Sequence, residues 1–275
     1  MNKLTIAIPT FNRKKSLDLT ISNLKKIKAT DSERVNIFIS DNNSEYPVEE
    51  ILDKHGLRDI VSYRSNKYNF GLGANIMECF RRSDSEWLWV LGDDDMVTSK
   101  AISTVLNLID QADRHVIGIN FSSDHGINQK NILVNNIDTL CKTALFSNLL
   151  FISTNIFNKK LLMPYAEYGY RSCFFHMPHS SMLLHSFLKE TEHSIWLRQE
   201  KIVKANLDYS QLTWSGKEMR KIRKSYSIIF RNFDKETQKK ISKFTMKGYG
   251  YLSVFVHIIS NIKTRLIIHN INKNR

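Results

Sequence analysis

Short apolar runs alternate with stretches of helical spacing along the first 120 residues or so of the chain. Five runs have the length and the β-branched or aromatic content of buried strands; they cover 4–8, 35–39, 60–63, 87–91 and 115–121. Between them, apolar residues recur every three or four positions, which predicts helices over 16–27, 48–52, 74–82 and 99–109. This alternation is typical of an α/β fold in which helices cover both faces of a mostly parallel sheet.

The pattern weakens beyond about residue 125. There the spacing predicts helices over 140–151 and 180–188 and a strand over 195–203. Farther on, 217–247 has the pattern of a basic helical pair. Because no repeat or low-complexity linker separates these parts, we expect one α/β domain followed by a C-terminal basic helical appendage.

Positive charge is concentrated at the C-terminal end. The 275 residues carry a net charge of +13, and 42% of them are hydrophobic, which is ordinary for a soluble protein. Residues 217–275 hold 15 Lys/Arg and 3 Asp/Glu, so this segment accounts for +12 of the total. A polycationic segment beside a nearly neutral domain indicates an anionic partner, which is a membrane surface, a nucleic acid or an acidic polymer.

Three features of the sequence bear on location. The chain begins Met1-Asn2-Lys3-Leu4 and enters a strand pattern at once, without the apolar core of a signal peptide. No stretch reaches the roughly 18–20 consecutive apolar residues of a membrane-spanning helix. The three cysteines are far apart and odd in number, which fits reduced thiols better than a disulfide framework. We therefore expect a cytoplasmic protein.

The strongest chemical signal is Gly92-Asp93-Asp94-Asp95, which places three carboxylates directly after an apolar strand. Their desolvation and mutual repulsion are unfavourable unless a cation offsets them. Mg²⁺ and Mn²⁺ prefer carboxylate and phosphate oxygens, so one interpretation is a metal that bridges this triplet to a diphosphate. The other interpretation is a solvated acidic loop that caps the following helix.

Polar turns also follow the first and second strands. The first strand ends in Pro9-Thr10-Phe11-Asn12-Arg13, whose backbone groups and guanidinium can hold a nucleobase or a phosphate. The second ends in Asp41-Asn42-Asn43-Ser44, where Asp41 can accept hydrogen bonds from uracil N3–H or a ribose hydroxyl. Each sequence is equally compatible with an ordinary turn. Because ligands of parallel sheets bind at the carboxyl ends of the strands, these turns and the aspartate triplet should meet in one cleft.

A glycine loop precedes the third predicted helix. It reads Asn69-Phe70-Gly71-Leu72-Gly73-Ala74-Asn75, and backbone N–H groups at such a helix start can face an anion. In this order and spacing, the four motifs resemble the N-terminal half of family-2 glycosyltransferases, which have the Rossmann-like GT-A fold. Those proteins open with a strand ending in a Pro-Thr/Ser-Phe/Tyr-Asn turn. An Asp-rich turn, an Asn-x-Gly loop and a metal-binding Asp-x-Asp signature follow.

The resemblance covers residues 3–120 and implies an inverting transferase. Its donor would be a nucleoside-diphosphate sugar, with a UDP-sugar favoured, and its metal Mn²⁺ or Mg²⁺. Asp93 would lie near the ribose or the sugar, and Asp94 or Asp95 would ligate the metal. The family's leading aspartate matches either Gly92 or Asp93, so which carboxylate binds the metal stays open. The other implied donor-binding residues are Pro9, Thr10, Phe11, Asn12, Arg13, Asp41, Asn43, Asn69, Gly71 and Asn75.

An inverting transfer needs a general base that removes the proton from the acceptor hydroxyl. Many relatives carry this base in a Glu-Asp pair at the start of a helix in the second half. The matching region here reads Phe174-Phe175-His176-Met177-Pro178-His179. We predict His179 as the first candidate and His176 as the second, because a histidine can accept a proton near neutral pH. Structural roles for both are an equal alternative, and Asp208 is a third candidate.

These inferences divide the chain into three parts. Residues 1–125 form the nucleotide-sugar-binding half, 126–216 the acceptor-binding half of the same domain, and 217–275 a docking tail. In the tail, basic residues interleave with Phe230 and Phe244, as in an amphipathic helix on an anionic membrane surface. The resemblance implies a glycan or lipid-linked acceptor in bacterial polysaccharide or lipooligosaccharide synthesis, at the inner face of the cell membrane.

Two other functions are alternatives to glycosyl transfer. A metal-dependent nucleotidyltransferase has a similar sheet and metal site, but its glycine-rich, lysine-containing signature is missing near the N-terminus. A basic nucleic-acid-binding module fits the sequence pI of about 9.6. Because the positive charge avoids the α/β half, we expect no nucleic-acid partner.

Overall fold

The structure, a computed structural model, describes residues 3–31, 33–124, 126–204 and 229–246. Its strands are β1 (Leu4–Thr10), β2 (Val35–Asp41), β3 (Val61–Ser65), β4 (Trp87–Val90), β5 (Met96–Val97), β6 (Val116–Ser122), β7 (Ile132–Val134), β8 (Asn155–Asn158), β9 (Ser194–Lys201) and β10 (Val203–Lys204). Its helices are α1 (Lys14–Asp31), α2 (Val48–His55), α3 (Leu72–Arg82), α4 (Ala101–Gln111), α5 (Ile137–Thr143), α6 (Phe146–Leu150), α7 (Lys159–Leu162), α8 (Ala166–Arg171), α9 (Pro178–Lys189) and α10 (Lys235–Met246).

Eight strands form one sheet in the order β3-β2-β1-β4-β8-β6-β9-β7. The pairs β3–β2, β2–β1, β1–β4 and β6–β9 are parallel, whereas β8 runs antiparallel to both β4 and β6. The edge strand β7 is antiparallel to β9, and β5 and β10 form a separate two-stranded sheet. The sheet is therefore mostly parallel, as the sequence pattern predicted, and the carboxyl ends of β1, β2 and β4 share one edge.

Both faces of the sheet are buried. Along β4, Trp87 and Trp89 pack into one hydrophobic core, and Leu88 and Val90 pack into the other. Strands covered on both faces have no solvent-facing side on which polar residues would be favoured. This is why the central strands appear in the sequence as continuous apolar runs rather than as alternating ones.

The region from 137 to 158 differs from its prediction. The expected helix over 140–151 is split into α5 and α6, because Ala144 and Leu145 adopt extended backbone angles. Buried asparagines lie beyond the break: Asn155 Nδ2 donates to the carbonyls of Asn148 and Phe151, and Asn120 Nδ2 also donates to Asn148 O. These side chains bind the carboxyl end of α6, and strand β8 follows at once.

The described part of the predicted tail packs into the protein. Helix α10 lies against α5 and α6, and the Phe244 ring meets Phe146 edge-on with centroids 5.6 Å apart. Phe230 and Phe244 are both buried, so the expectation that these two side chains face a membrane is wrong. Their apolar surface is covered by the protein's own second core. The remainder of the tail, at 217–228 and 247–275, lies outside the described residues, as does Asp208.

Within the described ranges, none of the helices is both long enough and apolar enough to cross a lipid bilayer.

Candidate active site

The aspartate triplet lies at the end of β4, beside the turn that follows β1. Ala7 pairs with Val90 in the sheet, so both chains leave the sheet at the same edge. Thr10 Oγ1 donates to Asp93 Oδ2 at 2.7 Å across 83 positions of sequence. Arg13 Nη2 lies 2.6 Å from Asp94 Oδ2, and its Nη1 lies 3.1 Å from Asp93 Oδ1. The fold therefore joins two of the predicted motifs into one polar cluster.

This cluster has an excess of negative charge. Burial raises the pKa of Asp93 to about 6, even though Arg13 and the Thr10 hydroxyl act to lower it. Burial also opposes the charge of Arg13, but the neighbouring aspartates outweigh that effect and raise its pKa. Among these four side chains, the Arg13 guanidinium interacts with all three carboxylates, and a divalent cation would neutralise the charge that it leaves.

Gly92 provides the test of whether a metal fits. A Cβ atom at this position would lie 2.6 Å from Asp95 Oδ2 and 3.2 Å from Asp94 Oδ1. The two carboxylates therefore converge over the bare backbone of Gly92. In the described ranges no group of three or more His, Cys, Asp or Glu side chains can hold a metal by itself. One or two carboxylates completed by phosphate oxygens are the usual ligands of Mg²⁺, so the residues present fit such an ion.

Ser153 is a site residue that sequence reasoning missed. Its Oγ donates to Asp95 Oδ2 at 2.5 Å and accepts from Gly92 N at 2.9 Å. Its carbonyl accepts from Trp89 Nε1 at 2.8 Å. Because the serine lies 58 positions beyond Asp95 in a weakly patterned region, no local signal marked it.

Helix α1 holds the other side of the aspartate loop. Thr20 Oγ1 donates to Asp93 O at 3.0 Å, and Asn23 exchanges two hydrogen bonds with the backbone of Val97. Thr20 is fully buried. In the sequence, the signal for this role was the position of Thr20, a polar residue on the apolar stripe of Leu17, Ile21 and Leu24.

Asp41 lies at the end of β2 and is buried. It accepts from Ser44 N at 3.1 Å and from Ser65 Oγ at 2.8 Å. Tyr46, which sequence reasoning also missed, lies close by. Burial raises its pKa, the nearby Thr10 and Ser44 hydroxyls oppose this, and the charge of Asp93 adds to it. The phenol therefore lies near the point where the first two turns approach the aspartate loop.

The turns after β1 and β2 are tied to each other. Asn12 Oδ1 accepts from Glu45 N at 2.8 Å, and Asn12 N donates to Ser44 Oγ at 2.9 Å. Asn12 and Asn43 have φ angles of 53° and 69°, in the left-handed region that asparagine tolerates better than most residues. The Asn12 side chain thus shapes the cleft wall, while Phe11 is exposed at its mouth and Pro9 is buried within β1.

Two backbone N–H groups of the glycine loop donate to asparagine side chains of the protein. Phe70 N donates to Asn42 Oδ1 at 3.1 Å, and Gly71 N donates to Asn69 Oδ1 at 2.8 Å. Asn75 is buried, accepts from Ser40 Oγ at 2.7 Å and donates to Ser40 O at 2.9 Å. An anion at this helix start would have to replace the first two bonds, so Asn69 and Asn75 shape the loop in this structure.

The two candidate histidines lie in different surroundings. His179, in the first turn of α9, is 2% exposed, and its Nε2 lies 3.0 Å from Leu150 O. A carbonyl can only accept, so Nε2 carries the proton. Burial lowers the pKa of His179 to about 4. His176 is half-buried, with a φ of 60°, between a 3-10 turn (Cys173–Phe175) and α9.

The aspartate loop, the first two turns and the start of α9 all lie within one stretch of recognisable sequence. Residues 5–190 match the model of the family described as "Glycosyl transferase family 2". The chain belongs to glycosyl transferase family 2. This confirms the resemblance drawn from the motifs, and it favours glycosyl transfer over the two alternative functions.

A curated relative of this family-2 chain is the GalNAc(5)-diNAcBac-PP-undecaprenol beta-1,3-glucosyltransferase of Campylobacter jejuni. It is 29% identical over 120 residues, which cover 43% of this chain and 38% of the relative. The match therefore spans little more than a third of that protein's length.

Solved glycosyltransferases share the fold. Staphylococcus aureus TarS 1–349 in complex with UDP has a TM-score of 0.63 at 14% identity, covering 90% of this chain and 72% of that one. The mannosyltransferase PcManGT of Pyrobaculum calidifontis, in complex with GDP-Man and Mn²⁺, has a TM-score of 0.63 at 10% identity, with coverages of 90% and 69%. The glucosyl-3-phosphoglycerate synthase of Mycobacterium tuberculosis, in complex with Mn²⁺, UDP and phosphoglyceric acid, has a TM-score of 0.56 at 12% identity, covering 85% of this chain and 80% of that one. These likenesses confirm the predicted GT-A fold.

Replacing His179 with glutamine should make this family-2 protein less sensitive to acid. The folded-state pKa of about 4 lies below the ordinary 6.5, so between these pH values the unfolded chain binds a proton that the folded chain does not. Stability is therefore lost as pH falls through this window, by about 3 kcal/mol at most. The free energy of unfolding at pH 7 and pH 4.5 measures the effect. His115→Gln, at a partly exposed histidine, is the control, and an unchanged pH dependence in His179→Gln contradicts the prediction.

Proposed function

We propose that this family-2 protein is an inverting, metal-dependent glycosyltransferase. It moves a sugar from a nucleoside-diphosphate sugar to a glycan or lipid-linked glycan acceptor. The observation that carries the proposal is the carboxylate cluster at the sheet edge, where Asp94 and Asp95 converge over Gly92 and Arg13 pairs with Asp94. Support comes from solved structures of the same fold with UDP or with GDP-Man and Mn²⁺, and from a relative named for a lipid-linked acceptor.

The donor-side residues have distinct roles in this proposal. Asp94 and Asp95 hold Mn²⁺ or Mg²⁺, which when bound neutralises the departing diphosphate. Asp93, kept in place by Thr10, accepts a hydrogen bond from the ribose or the sugar. Asp41 receives the nucleobase or ribose, and a UDP-sugar is the favoured donor. Arg13 bridges Asp93 and Asp94 and offsets their mutual repulsion.

The acceptor hydroxyl attacks the anomeric carbon as the bond to the diphosphate breaks. Its proton passes to a general base. His179 is closed off by its Leu150 hydrogen bond and by Phe157, whose ring centroid lies 6.1 Å from that of His179. We therefore place His176 ahead of His179 for this role. His176→Gln should lower kcat and leave donor binding unchanged, and equal kcat in the variant rejects the assignment.

A place at the inner face of the membrane belongs to the same proposal. Lys239 and Lys243 lie on the exposed side of α10, and further basic residues follow it in the sequence. Near an anionic leaflet such residues contribute about 1 kcal/mol each. The lipid-linked acceptor of the Campylobacter relative agrees with this location.

A panel of nucleotide sugars tests the function. The intact chain is incubated with UDP-, GDP- and dTDP-sugars, with Mn²⁺ or with EDTA, and thermal stabilisation and donor hydrolysis are measured. We expect one donor class to stabilise and to be hydrolysed only with metal present. Equal turnover in EDTA would reject the metal role. Pyrophosphate release from UTP and a sugar 1-phosphate would instead indicate nucleotidyl transfer.

A further inference from the structure

Five large apolar or aromatic side chains are exposed in two neighbouring segments. We call them the aromatic rim; they are Tyr68, Phe70, Leu72, Tyr170 and Phe174. Their exposed fractions run from 44% for Leu72 to 75% for Phe174. Single exposed apolar residues are common on protein surfaces, but a group of five in two adjoining segments indicates a contact surface.

Close backbone packing brings the two segments together. A Cβ atom on Gly73 would lie 2.2 Å from the carbonyl oxygen of Cys173, so the first turn of α3 rests directly on the turn before α9. Leu72 and Phe174 are the next residues on either side of this contact. At the other end of α3, Glu78 raises the pKa of Arg81 most. The phenol of Tyr170 is close enough to raise the pKa of Arg81 as well. The rim therefore runs along one side of α3.

The surroundings of the rim carry positive charge. Segments 61–82 and 167–189 hold six Lys/Arg and two Glu, a net charge of +4. Glu167 pairs with Arg171, and Glu78 pairs with Arg81 and Arg82. Arg64, Lys67 and Lys189 are the other cations of these segments. Lys67 Nζ lies 5.3 Å from the centroid of the Tyr68 ring, which places a cation at the rim itself. Aromatic side chains next to Lys and Arg are the combination that favours the interface of an anionic bilayer.

The end of the rim formed by Phe70, Leu72 and Phe174 lies at the functional edge of the sheet. The loop with Phe70 follows the carboxyl end of β3, and Phe174 precedes the start of α9, which runs back toward the start of β9. Because β3 is parallel to β2 and β1, this is the edge that carries the aspartates. A surface that rests on the rim would face the opening of the cleft.

We propose that the aromatic rim docks this protein onto an anionic lipid membrane. The rim inserts its side chains among the headgroups, and the neighbouring Lys and Arg contact lipid phosphates. This rests on the proposed transfer to a lipid-linked acceptor and adds a second contact to the one expected of the tail. It also supplies the apolar contact that α10 does not, since Phe230 and Phe244 are covered by the core.

The test is flotation of the full chain with vesicles of phosphatidylcholine and phosphatidylglycerol, in 0.15 M and 0.5 M NaCl. High salt screens the tail and leaves the apolar contribution. The vesicle affinity of the double variant Phe174→Ser/Tyr170→Ser should be lower than that of the parent by about tenfold or more at both salt concentrations. The matched control is Leu19→Ser/Ile60→Ser, which removes side chains of similar exposure, 57% and 47%, away from the rim. It should bind like the parent.

A second variant addresses the charged part. Lys67→Ala/Arg171→Ala should weaken binding to the anionic vesicles at 0.15 M NaCl and leave binding to pure phosphatidylcholine unchanged. Vesicle binding equal to the parent in both rim variants overturns the proposal. Donor hydrolysis without vesicles should be the same in all variants. If the parent itself hydrolyses no donor, the proposed function fails while the vesicle result still decides the rim.

Discussion

Asp95→Asn is expected to remove metal-dependent sugar transfer while the protein stays folded. The amide has almost the same shape and can still accept the hydrogen bond from Ser153 Oγ. It has lost the negative charge that would hold a divalent cation against the diphosphate. We expect transfer to fall on the order of a thousandfold, the size seen when a main electrostatic contact to a transition state is removed.

Two measurements separate the role of Asp95 from a general loss of structure. Mn²⁺ affinity in the presence of nucleoside diphosphate should fall with activity, whereas the melting temperature should hold or rise, because one of three clustered carboxylates is neutralised. Asp59→Asn, at an exposed aspartate outside the cleft, is the control. Full Mn²⁺-dependent activity in Asp95→Asn would show that this carboxylate is not a metal ligand.

Gly92→Ala should have the second-largest effect, because a single methyl group would occupy the space over which the carboxylates close. Its Cβ would lie 2.6 Å from Asp95 Oδ2 and 3.2 Å from Asp94 Oδ1, so at least one carboxylate must move. Misplacing a ligand by about 1 Å can lower activity on the order of a hundredfold. We expect that loss in transfer, with weaker Mn²⁺ binding and little change in donor binding without metal.

A glycine in the core supplies the comparison. Gly118→Ala adds the same methyl group 3.1 Å from Leu183 Cδ1, far in sequence from the aspartates. It should affect stability through packing and leave Mn²⁺ affinity unchanged. If Gly92→Ala and the parent bind Mn²⁺ equally, the carboxylates do not act together above this backbone, and the proposed metal position is wrong.

Much of the donor half was predictable because its elements are local. The apolar runs that became β1, β2, β4 and β6 are each buried on both faces, so hydrophobicity alone marked them. The turns that follow strands at one edge of a parallel sheet must converge. That rule placed Thr10 and Arg13 near Asp93 before any contact between them was known.

The second half depends on contacts between residues far apart in the sequence. Strand β8 is inserted antiparallel between β4 and β6, a pairing that four residues of local pattern do not specify. The carboxyl end of α6 is held by Asn120 and Asn155, whose side chains bind the carbonyl of Asn148. Such bonds form only after the chain has folded back on itself.

The sequence by itself predicted the mostly parallel sheet, because that follows from short-range hydrophobic spacing. It also contained the motifs, in their order along the cleft, by which the chain resembles its family. Only the tertiary structure decided which groups surround each candidate. It brought Ser153 to Asp95 across 58 residues and closed His179 into the core. It also turned the apolar side of α10 inward, against α5 and α6. Burial and hydrogen bonding depend on neighbours that the fold supplies, and a one-dimensional pattern does not contain them.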